Sequence, residues 1–210
     1  MLHRLFAFIL LSIAVQAAPL SAERAAALRE RFETRQRETR TWACAFTQTQ
    51  SMAGMRQPIV STGTLSYRAP ELLRLEFAQP AGEFTLVVGD QLFIQKVGKK
   101  VAVKSLTGDI SGKPYLSLLG LLRGKPAEDE TLFTPEITRE DDHYTIVLAR
   151  KADASSRLPK RITNTIDAES LEVREVLVEL PGGGTLSYRF SEPARNRPMD
   201  AARFAVPSGN

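Results

Sequence analysis

The fold is decided by the stretch GTLSYRAPELLRLEFA, residues 63–78. In both halves of this stretch apolar side chains occupy every second position, and mostly polar or charged side chains fill the positions between them. The alternating apolar residues are Leu65 and Tyr67 in the first half, and Leu73, Leu75 and Phe77 in the second. Successive side chains of a β-strand point to opposite faces, so each half predicts a strand with one apolar face. Such strands are typical of an antiparallel sheet that is covered on one side.

The same period of two continues on both sides of this hairpin. It predicts strands over residues 42–50, 63–68, 72–78, 84–88, 91–95, 101–104, 144–149, 160–166, 173–180 and 185–190. Turn residues separate them: Gly89-Asp90 suits a two-residue hairpin turn, and residues 181–184 are Pro-Gly-Gly-Gly. Since no linker or internal repeat divides the chain, we expect one mainly β (α+β) domain over residues 23–210.

Two segments depart from this period and predict helices, of which the first covers residues 22–39. Ser21 suits the N-cap of this helix. Within it, Ala25, Leu28 and Phe32 recur at helical spacing, and charged residues occupy the other positions. The pattern predicts an amphipathic helix with one apolar stripe that packs on the sheet.

The second helix, residues 114–123, has both ends specified in the sequence. Pro114 suits a first helical position, and Gly124 suits the position just after the end. Apolar side chains surround this helix almost completely: Tyr115, Leu116, Leu118, Leu119, Leu121 and Leu122. Such a helix needs cover on more than one side. It is either an ordinary buried helix, which composition alone favours, or a lid over an apolar ligand.

The N-terminus has the organisation of a secretory signal peptide. A short basic start is followed by the apolar residues 5–15 and then by small residues, which predicts a signal peptide over residues 1–22 with cleavage after Ala17 or Ala22. The apolar stretch is much shorter than the roughly 20 residues that a membrane-spanning helix needs. We therefore expect the mature chain in the periplasm.

Charge and reactive side chains argue against catalysis, metal binding and nucleic-acid binding. The chain has 28 Lys and Arg against 24 Asp and Glu, a net charge of +4 that forms no basic stripe. One Cys and two His argue against a disulfide, a zinc site or a catalytic triad. Cys44 alternates with Trp42 and Phe46, which predicts a buried, unreactive thiol. We expect a protein that is not an enzyme and that uses no metal or cofactor.

Several short motifs occur in an order typical of one family. They are residues 46–48 (FTQ), 63–67 (GTLSY), Pro70, 73–77 (LRLEF), Pro80, 89–93 (GDQLF), 112–116 (GKPYL), 200–204 (DAARF) and Pro207. In this combination the chain resembles the LolA family of periplasmic lipoprotein carriers. The resemblance implies an unclosed antiparallel β half-barrel whose apolar concave face is covered by the N-terminal amphipathic helix and by the short helix as a lid.

The same resemblance implies the cargo and the partners. The cavity would hold the acyl chains of an outer-membrane lipoprotein. An inner-membrane ABC lipoprotein-releasing transporter would load the carrier, and an outer-membrane lipoprotein receptor would unload it. We expect the carrier to be a monomer.

Three groups of site residues follow from the strand pattern and the resemblance. The expected lipid-binding cavity consists of Phe46, Leu65, Tyr67, Leu73, Leu75, Phe77, Phe84, Leu86 and Val88. The expected lid consists of Pro114, Tyr115, Leu116, Leu118, Leu119 and Leu122. Family members carry an Arg latch immediately before a proline where this chain has Ala69, so Arg68 and Arg74 are the candidates for the latch.

Two other functions stay open at this point. A specialised relative that carries another lipid, a glycolipid or a hydrophobic precursor would also fit a changed latch. An envelope sensor of lipids or lipoproteins shares the half-barrel and has a further domain after it. The end of this chain at Asn210, soon after the last family motif, leads us to expect the carrier rather than the sensor.

Overall fold

A computed structural model describes residues 18–109, 112–125 and 131–206. Within these residues the chain forms two α-helices and one antiparallel sheet of eleven strands. The helices are α1 (Ala22–Arg37) and α2 (Lys113–Leu122). The strands are β1 (Thr41–Ser51), β2 (Ile59–Arg68), β3 (Leu72–Gln79), β4 (Phe84–Val88), β5 (Gln91–Gln95), β6 (Ala102–Ser105), β7 (Phe133–Arg139), β8 (His143–Arg150), β9 (Arg161–Asp167), β10 (Val173–Glu179) and β11 (Thr185–Arg195).

The sheet is open, which confirms the predicted fold class. Its strand order is β6-β5-β4-β3-β2-β1-β11-β10-β9-β8-β7. Two meanders, one from each half of the chain, meet where β1 pairs with β11. The two edge strands, β6 and β7, are not paired with each other, so the sheet does not close into a barrel. Helix α2 lies in the connection between these two edge strands.

One face of the sheet packs against both helices, and we call it the inner face. Leu28 and Phe32 of α1 belong to the same buried cluster as the inner side chains of the strands. A polar network fastens the C-terminal end of α1 to the sheet, because Arg195 donates to Gln36 of α1, to Thr39 just after α1, and to Glu172. The helix therefore covers the inner face as the amphipathic pattern predicts.

The outer face carries a second, smaller cluster of buried side chains. Leu86 of β4 and Phe93 of β5 pack there against Phe204. Phe204 lies in a short 3-10 helix, Ala201–Phe204, whose first turn is capped by the carboxylate of Asp200. The C-terminal motif thus covers the outer face of the N-terminal half of the sheet.

Strand β7 is missing from the sequence-based prediction. It contains Pro135, which interrupts the strand pattern and cannot donate a backbone hydrogen bond. Proline is tolerated here because β7 is an edge strand that, within the described residues, pairs along its length with β8 alone. On its other side it meets residues before α1, through a bridge between Pro19 and Thr138 and a hydrogen bond from the Leu20 amide to the Ile137 carbonyl (2.8 Å).

In the described part of the chain, neither α1 nor α2 is long and apolar enough to cross a membrane. Residues 1–17, which include most of the predicted signal peptide and the Ala17 cleavage site, lie outside the described residues. Ala22, the other predicted cleavage site, is the first residue of α1.

Candidate functional site

Six of the nine predicted cavity residues come together on the inner face. Each is at most 7% exposed, and all belong to one cluster: Phe46, Leu65, Tyr67, Leu73, Leu75 and Phe77. Cross-strand pairing explains this, since residues directly opposite each other share a face and Leu65 pairs with Leu75 and Tyr67 with Leu73. The hairpin that decides the fold therefore also forms one part of the inner wall.

Aromatic rings extend this wall across the centre of the sheet. Phe46 makes edge-to-face contacts with Phe77 and Tyr188, at ring-centroid distances of 5.3 and 6.1 Å. Trp42 contacts Phe190 in the same way at 5.6 Å. Tyr188 and Phe190 lie on β11 and are absent from the predicted site. The inner wall is thus apolar and aromatic where the two meanders meet.

The other three predicted cavity residues, Phe84, Leu86 and Val88, lie on the outer face, and the expectation that they line the cavity is wrong. They pack in the cluster around Phe204. The register gives the reason: β3 residues Leu73 and Leu75 pair with Val87 and Thr85, so these two β4 residues face inward and their neighbours face outward.

Helix α2 lies over the inner face with its apolar side chains buried. Leu118, Leu119, Leu121 and Leu122 are between 0 and 2% exposed and belong to the inner cluster. Tyr115 and Leu116 are half-buried against the same cluster, and Pro114 is half-buried in the first turn. The backbone of α2 approaches β10.

Glycine residues at both ends of α2 permit its close packing. A Cβ at Gly112 would lie 2.2 Å from the Leu106 carbonyl oxygen. A Cβ at Gly124 would lie 2.8 Å from Cα of Glu33 in α1, and the φ of Gly124, +82°, is in the left-handed region. The sequence suggested glycine after the helix as a stop signal. The structure adds that Gly124 lets α2 touch α1.

Tyr115 connects the N-terminal end of α2 to the sheet. Its hydroxyl lies 3.4 Å from Oγ1 of Thr85 on β4, and it also hydrogen-bonds the hydroxyl of Tyr188 on β11. Burial, together with the Tyr115 contact, raises the pKa of Tyr188 well above its usual value. The Tyr188 phenol therefore stays neutral at physiological pH.

Arg123 connects the C-terminal end of α2 to the turn between β2 and β3. Its Nε donates to the carbonyl oxygen of Pro70 at 2.9 Å, and its Nη2 lies 3.8 Å from a carboxylate oxygen of Glu71. In family members the latch arginine is expected at the end of the strand, just before the proline. In this chain the arginine is Arg123, at the end of α2, and the acceptor is the Pro70 carbonyl in the turn.

The predicted latch residues are therefore not the ones that contact the lid. Arg68 is exposed at the end of β2. Arg74 lies on the outer face, where its guanidinium carbon is 4.4 Å from the ring centroid of Phe84 and its Nε is 3.3 Å from Glu76. Alternation explains the error, because Arg74 lies between the inward residues Leu73 and Leu75 and must point outward.

The C-terminal meander supplies a large part of the inner face that the predicted site lacks. Its buried inward residues include Ile137, Tyr144, Ile146, Leu148, Ile162, Asn164, Ile166, Val176, Val178 and Tyr188. Apart from Ile137, which lies on the unpredicted strand β7, these residues lie in strands that the sequence predicts. The inner face is thus largely apolar across both meanders, with buried polar residues at Thr85 and Asn164.

The reactive side chains Cys44 and His143 lie in different surroundings, the first in the apolar interior and the second beside acidic residues. Cys44 is buried on the inner face, and burial raises the pKa of its thiol far above the usual value, so the thiol stays protonated as expected. His143 lies 2.8 Å from a carboxylate oxygen of Asp142 and 3.6 Å from one of Glu140.

These features define the class of the protein as an open antiparallel sheet with a helix-covered apolar face. The family described as outer membrane lipoprotein carrier protein LolA matches residues 37–207. The chain belongs to this family. The comparisons indicate carrier and binding proteins and no catalytic family. None of the curated proteins matches the chain significantly.

Solved structures share the fold at low sequence identity. A DUF1329 family protein from Desulfovibrio piger is similar with a TM-score of 0.51 and 9% identity, covering 87% of this chain and 96% of that one. An uncharacterized conserved protein from Thermus thermophilus has a TM-score of 0.51 and 11% identity, covering 88% and 94%. The Pseudomonas aeruginosa MucA/MucB complex matches with a TM-score of 0.50 and 10% identity, covering 88% of this chain and 61% of that chain.

Proposed function

We propose that the protein is a periplasmic carrier that binds the acyl chains of outer-membrane lipoproteins between the inner face of its sheet and helix α2. One observation carries this proposal: the leucines of α2 are buried in the same cluster as the inner wall. A lid helix that occupies the apolar surface competes directly with an apolar ligand for that surface. Family membership supports the same function.

Cargo binding exchanges one buried apolar group for another, because the free energies of burying the α2 leucines and of burying an acyl chain are similar. Full burial of one leucine side chain contributes about 1.5–3 kcal/mol, so the four leucines of α2 contribute roughly 6–12 kcal/mol to closure. An acyl chain of about a dozen methylenes gains roughly 10 kcal/mol on leaving water. Because the two terms are similar, cargo displaces the lid at a small net free energy. A carrier with this balance can still release its cargo to a more apolar receptor.

The two ends of α2 are held by polar contacts that a moving lid can break and re-form. Tyr115 links the lid to Thr85 and Tyr188, and Arg123 links it to the Pro70 carbonyl. The turn that contains Pro70 is exposed, so water can replace Arg123 at this carbonyl when the lid opens. We infer that opening begins at the Arg123 end.

The proposed partners follow from the proposed cargo. An inner-membrane ABC transporter would transfer a lipoprotein to the carrier, and an outer-membrane receptor would accept it. The signal peptide in residues 1–22 would deliver the chain to the periplasm, where it would act as a monomer.

A release assay tests the function. The purified mature protein is incubated with spheroplasts that carry labelled lipoproteins destined for the outer membrane, with and without ATP. We expect labelled lipoproteins in the soluble fraction, bound to the protein, only when both ATP and the protein are present. Absence of release, together with native mass spectrometry that detects a small lipid bound to the purified protein, would replace this proposal with a specialised lipid carrier.

The specialised carrier is a second candidate because the lid contact differs from the family pattern. Ala69 occupies the position of the expected arginine, and the arginine that contacts the turn is Arg123 of the lid. A changed lid contact changes the free energy of opening and therefore the range of lipids that can displace the lid. The same mass spectrum distinguishes a glycolipid or hydrophobic precursor from a lipoprotein.

A further inference from the structure

Asn164 is a buried polar residue in the centre of the apolar inner face. It lies on β9, and its exposed fraction is 0%. Its cross-strand neighbours are Ile146 on β8 and Val176 on β10. Along β9, the residues two positions away on the same face are Ile162 and Ile166, both buried. Four apolar side chains therefore surround the carboxamide of Asn164 within the sheet.

Neither polar atom of this carboxamide is satisfied. Among the described residues, no hydrogen-bond partner lies within reach of Oδ1 or Nδ2 of Asn164. Buried polar groups of folded proteins are nearly always paired, and those that are not call for an explanation. Tyr188, two strands away in the same transverse row of the inner face, shows the contrast because its buried hydroxyl is paired with Tyr115 of the lid.

The position of the lid places Asn164 where cargo would lie. Helix α2 approaches β10, the strand next to β9. When α2 leaves β10, the inner surface of β10 is uncovered, and Val176 on this surface is the cross-strand neighbour of Asn164. A ligand that replaces the lid on this surface therefore contacts the Asn164 carboxamide.

We propose that Asn164 recognises the amide linkage of a bound acyl chain. This inference rests on the proposed function, because it requires a lipid on the inner face. A secondary amide has one N–H donor and one carbonyl acceptor, so it can satisfy Oδ1 and Nδ2 of Asn164 at the same time. An ester offers only acceptors and satisfies Nδ2 alone. A pure hydrocarbon satisfies neither atom. The hydrogen bonds that Asn164 can make therefore favour an amide most, an ester less and a hydrocarbon not at all.

A displacement experiment with three probes of equal chain length tests this ranking. The protein is first filled with diphenylhexatriene, a hydrocarbon fluorophore that becomes fluorescent in apolar surroundings. The competitors are N-hexyloctanamide, hexyl octanoate and pentadecane. The three probes differ in their cost of leaving water, so the measure is the ratio of the displacing concentrations in the wild-type chain relative to that in Asn164→Leu. We expect the loss of Asn164 to worsen displacement by the amide, relative to the hydrocarbon, about tenfold, with the ester between them.

The variant Asn164→Leu removes the polar group and keeps the number and branching of the side-chain heavy atoms. We expect it to remove the contribution of Asn164 to amide binding and to raise the melting temperature, because replacing an unsatisfied buried polar group by an apolar one removes its desolvation cost. Ile146→Leu is the matched control: it changes shape beside Asn164 without changing polarity and should keep the wild-type ranking. The readout is the ratio between competitors, which is insensitive to a general change in lid opening.

The outcomes separate the inference from the function on which it rests. If the amide-to-hydrocarbon ratio of displacing concentrations is the same in the wild-type chain and in Asn164→Leu, the role of Asn164 is overturned and the carrier proposal stands. A wild-type chain that takes up neither the fluorophore nor any competitor overturns both. Asn164→Ala removes the same carboxamide, so the test does not depend on the folding of Asn164→Leu alone.

Discussion

Arg123→Met should loosen the lid and increase the affinity for apolar ligands. The substitution keeps an unbranched apolar stem and removes the guanidinium that donates to the Pro70 carbonyl at 2.9 Å. The Arg123 side chain is 24% exposed, so its contact is partly shielded from water. Only the closed state makes this contact. Its loss therefore shifts the lid equilibrium toward the open, binding-competent state.

The magnitude follows from the two interactions that are lost. A hydrogen bond from a charged donor contributes about 1.5–3 kcal/mol, and the lower value applies here because the freed carbonyl lies in an exposed turn where water can bind it. The Nη2 contact with Glu71 is 3.8 Å long and Glu71 is 55% exposed, so this ion pair contributes little. A total of about 1.5 kcal/mol raises the open population, and with it the apparent affinity, about tenfold.

The assay is titration with diphenylhexatriene, with amide hydrogen exchange of the α2 residues as a direct measure of lid opening. Arg203→Met is the matched control, since it removes an arginine that donates to Ser66 Oγ (3.1 Å) rather than to the lid. Glu71→Gln should change the affinity less than about twofold, because it affects only the exposed ion pair. Unchanged affinity and unchanged exchange in Arg123→Met would refute the assignment of Arg123 as the latch.

Three further predictions concern the lid, the buried thiol and the N-terminus. Leu119→Asp should abolish lipoprotein uptake while circular dichroism still reports the sheet; unchanged uptake would count against the lid. Burial raises the pKa of the Cys44 thiol in the folded chain, so as the pH rises this thiol ionises in the unfolded chain before it does in the folded one. The free energy of unfolding should therefore fall above about pH 9, by up to about 1.4 kcal/mol per pH unit. In urea titrations at increasing pH, the free energy of unfolding of Cys44→Ala should fall less steeply. A chain starting at Glu23 lacks the Ser21 cap and the Leu20 hydrogen bond, and it should be about 2 kcal/mol less stable than a chain starting at Ala18. We therefore expect mass spectrometry of the periplasmic protein to identify Ala18 as its N-terminal residue.

The sequence predicts the sheet well where one face is covered and the other is wet. Leu65, Tyr67, Leu73, Leu75 and Phe77 all lie on the inner face, since the polar residues between them leave only one face that can be buried. Helical spacing of apolar residues, together with residues that mark helix ends, predicts both helices to within a few residues. Local alternation is sufficient wherever solvent contacts one side of a strand.

Prediction fails on β4 because both faces of this strand are covered. In the sequence FTLVV, residues 84–88, apolar residues stand at nearly every position, so alternation does not choose a face. The choice is made by Phe204, which lies more than a hundred positions later and covers Leu86 from outside. The latch fails for a similar reason, because the contact between Arg123 and the Pro70 carbonyl joins positions 53 residues apart. Neither contact leaves a local signal.

Asn164 gives the closed state a cost that the loaded state can avoid. A buried carboxamide without partners destabilises the closed form by about 1–3 kcal/mol for each unpaired group, whereas a bound amide would remove this cost. The leucines of α2 act in the opposite direction, since they stabilise the closed form and lower the affinity for every apolar chain equally. Affinity is therefore set by the lid and selectivity by Asn164. This division predicts that Arg123→Met changes the affinity for all three competitors by one common factor, and that Asn164→Leu changes their ratio.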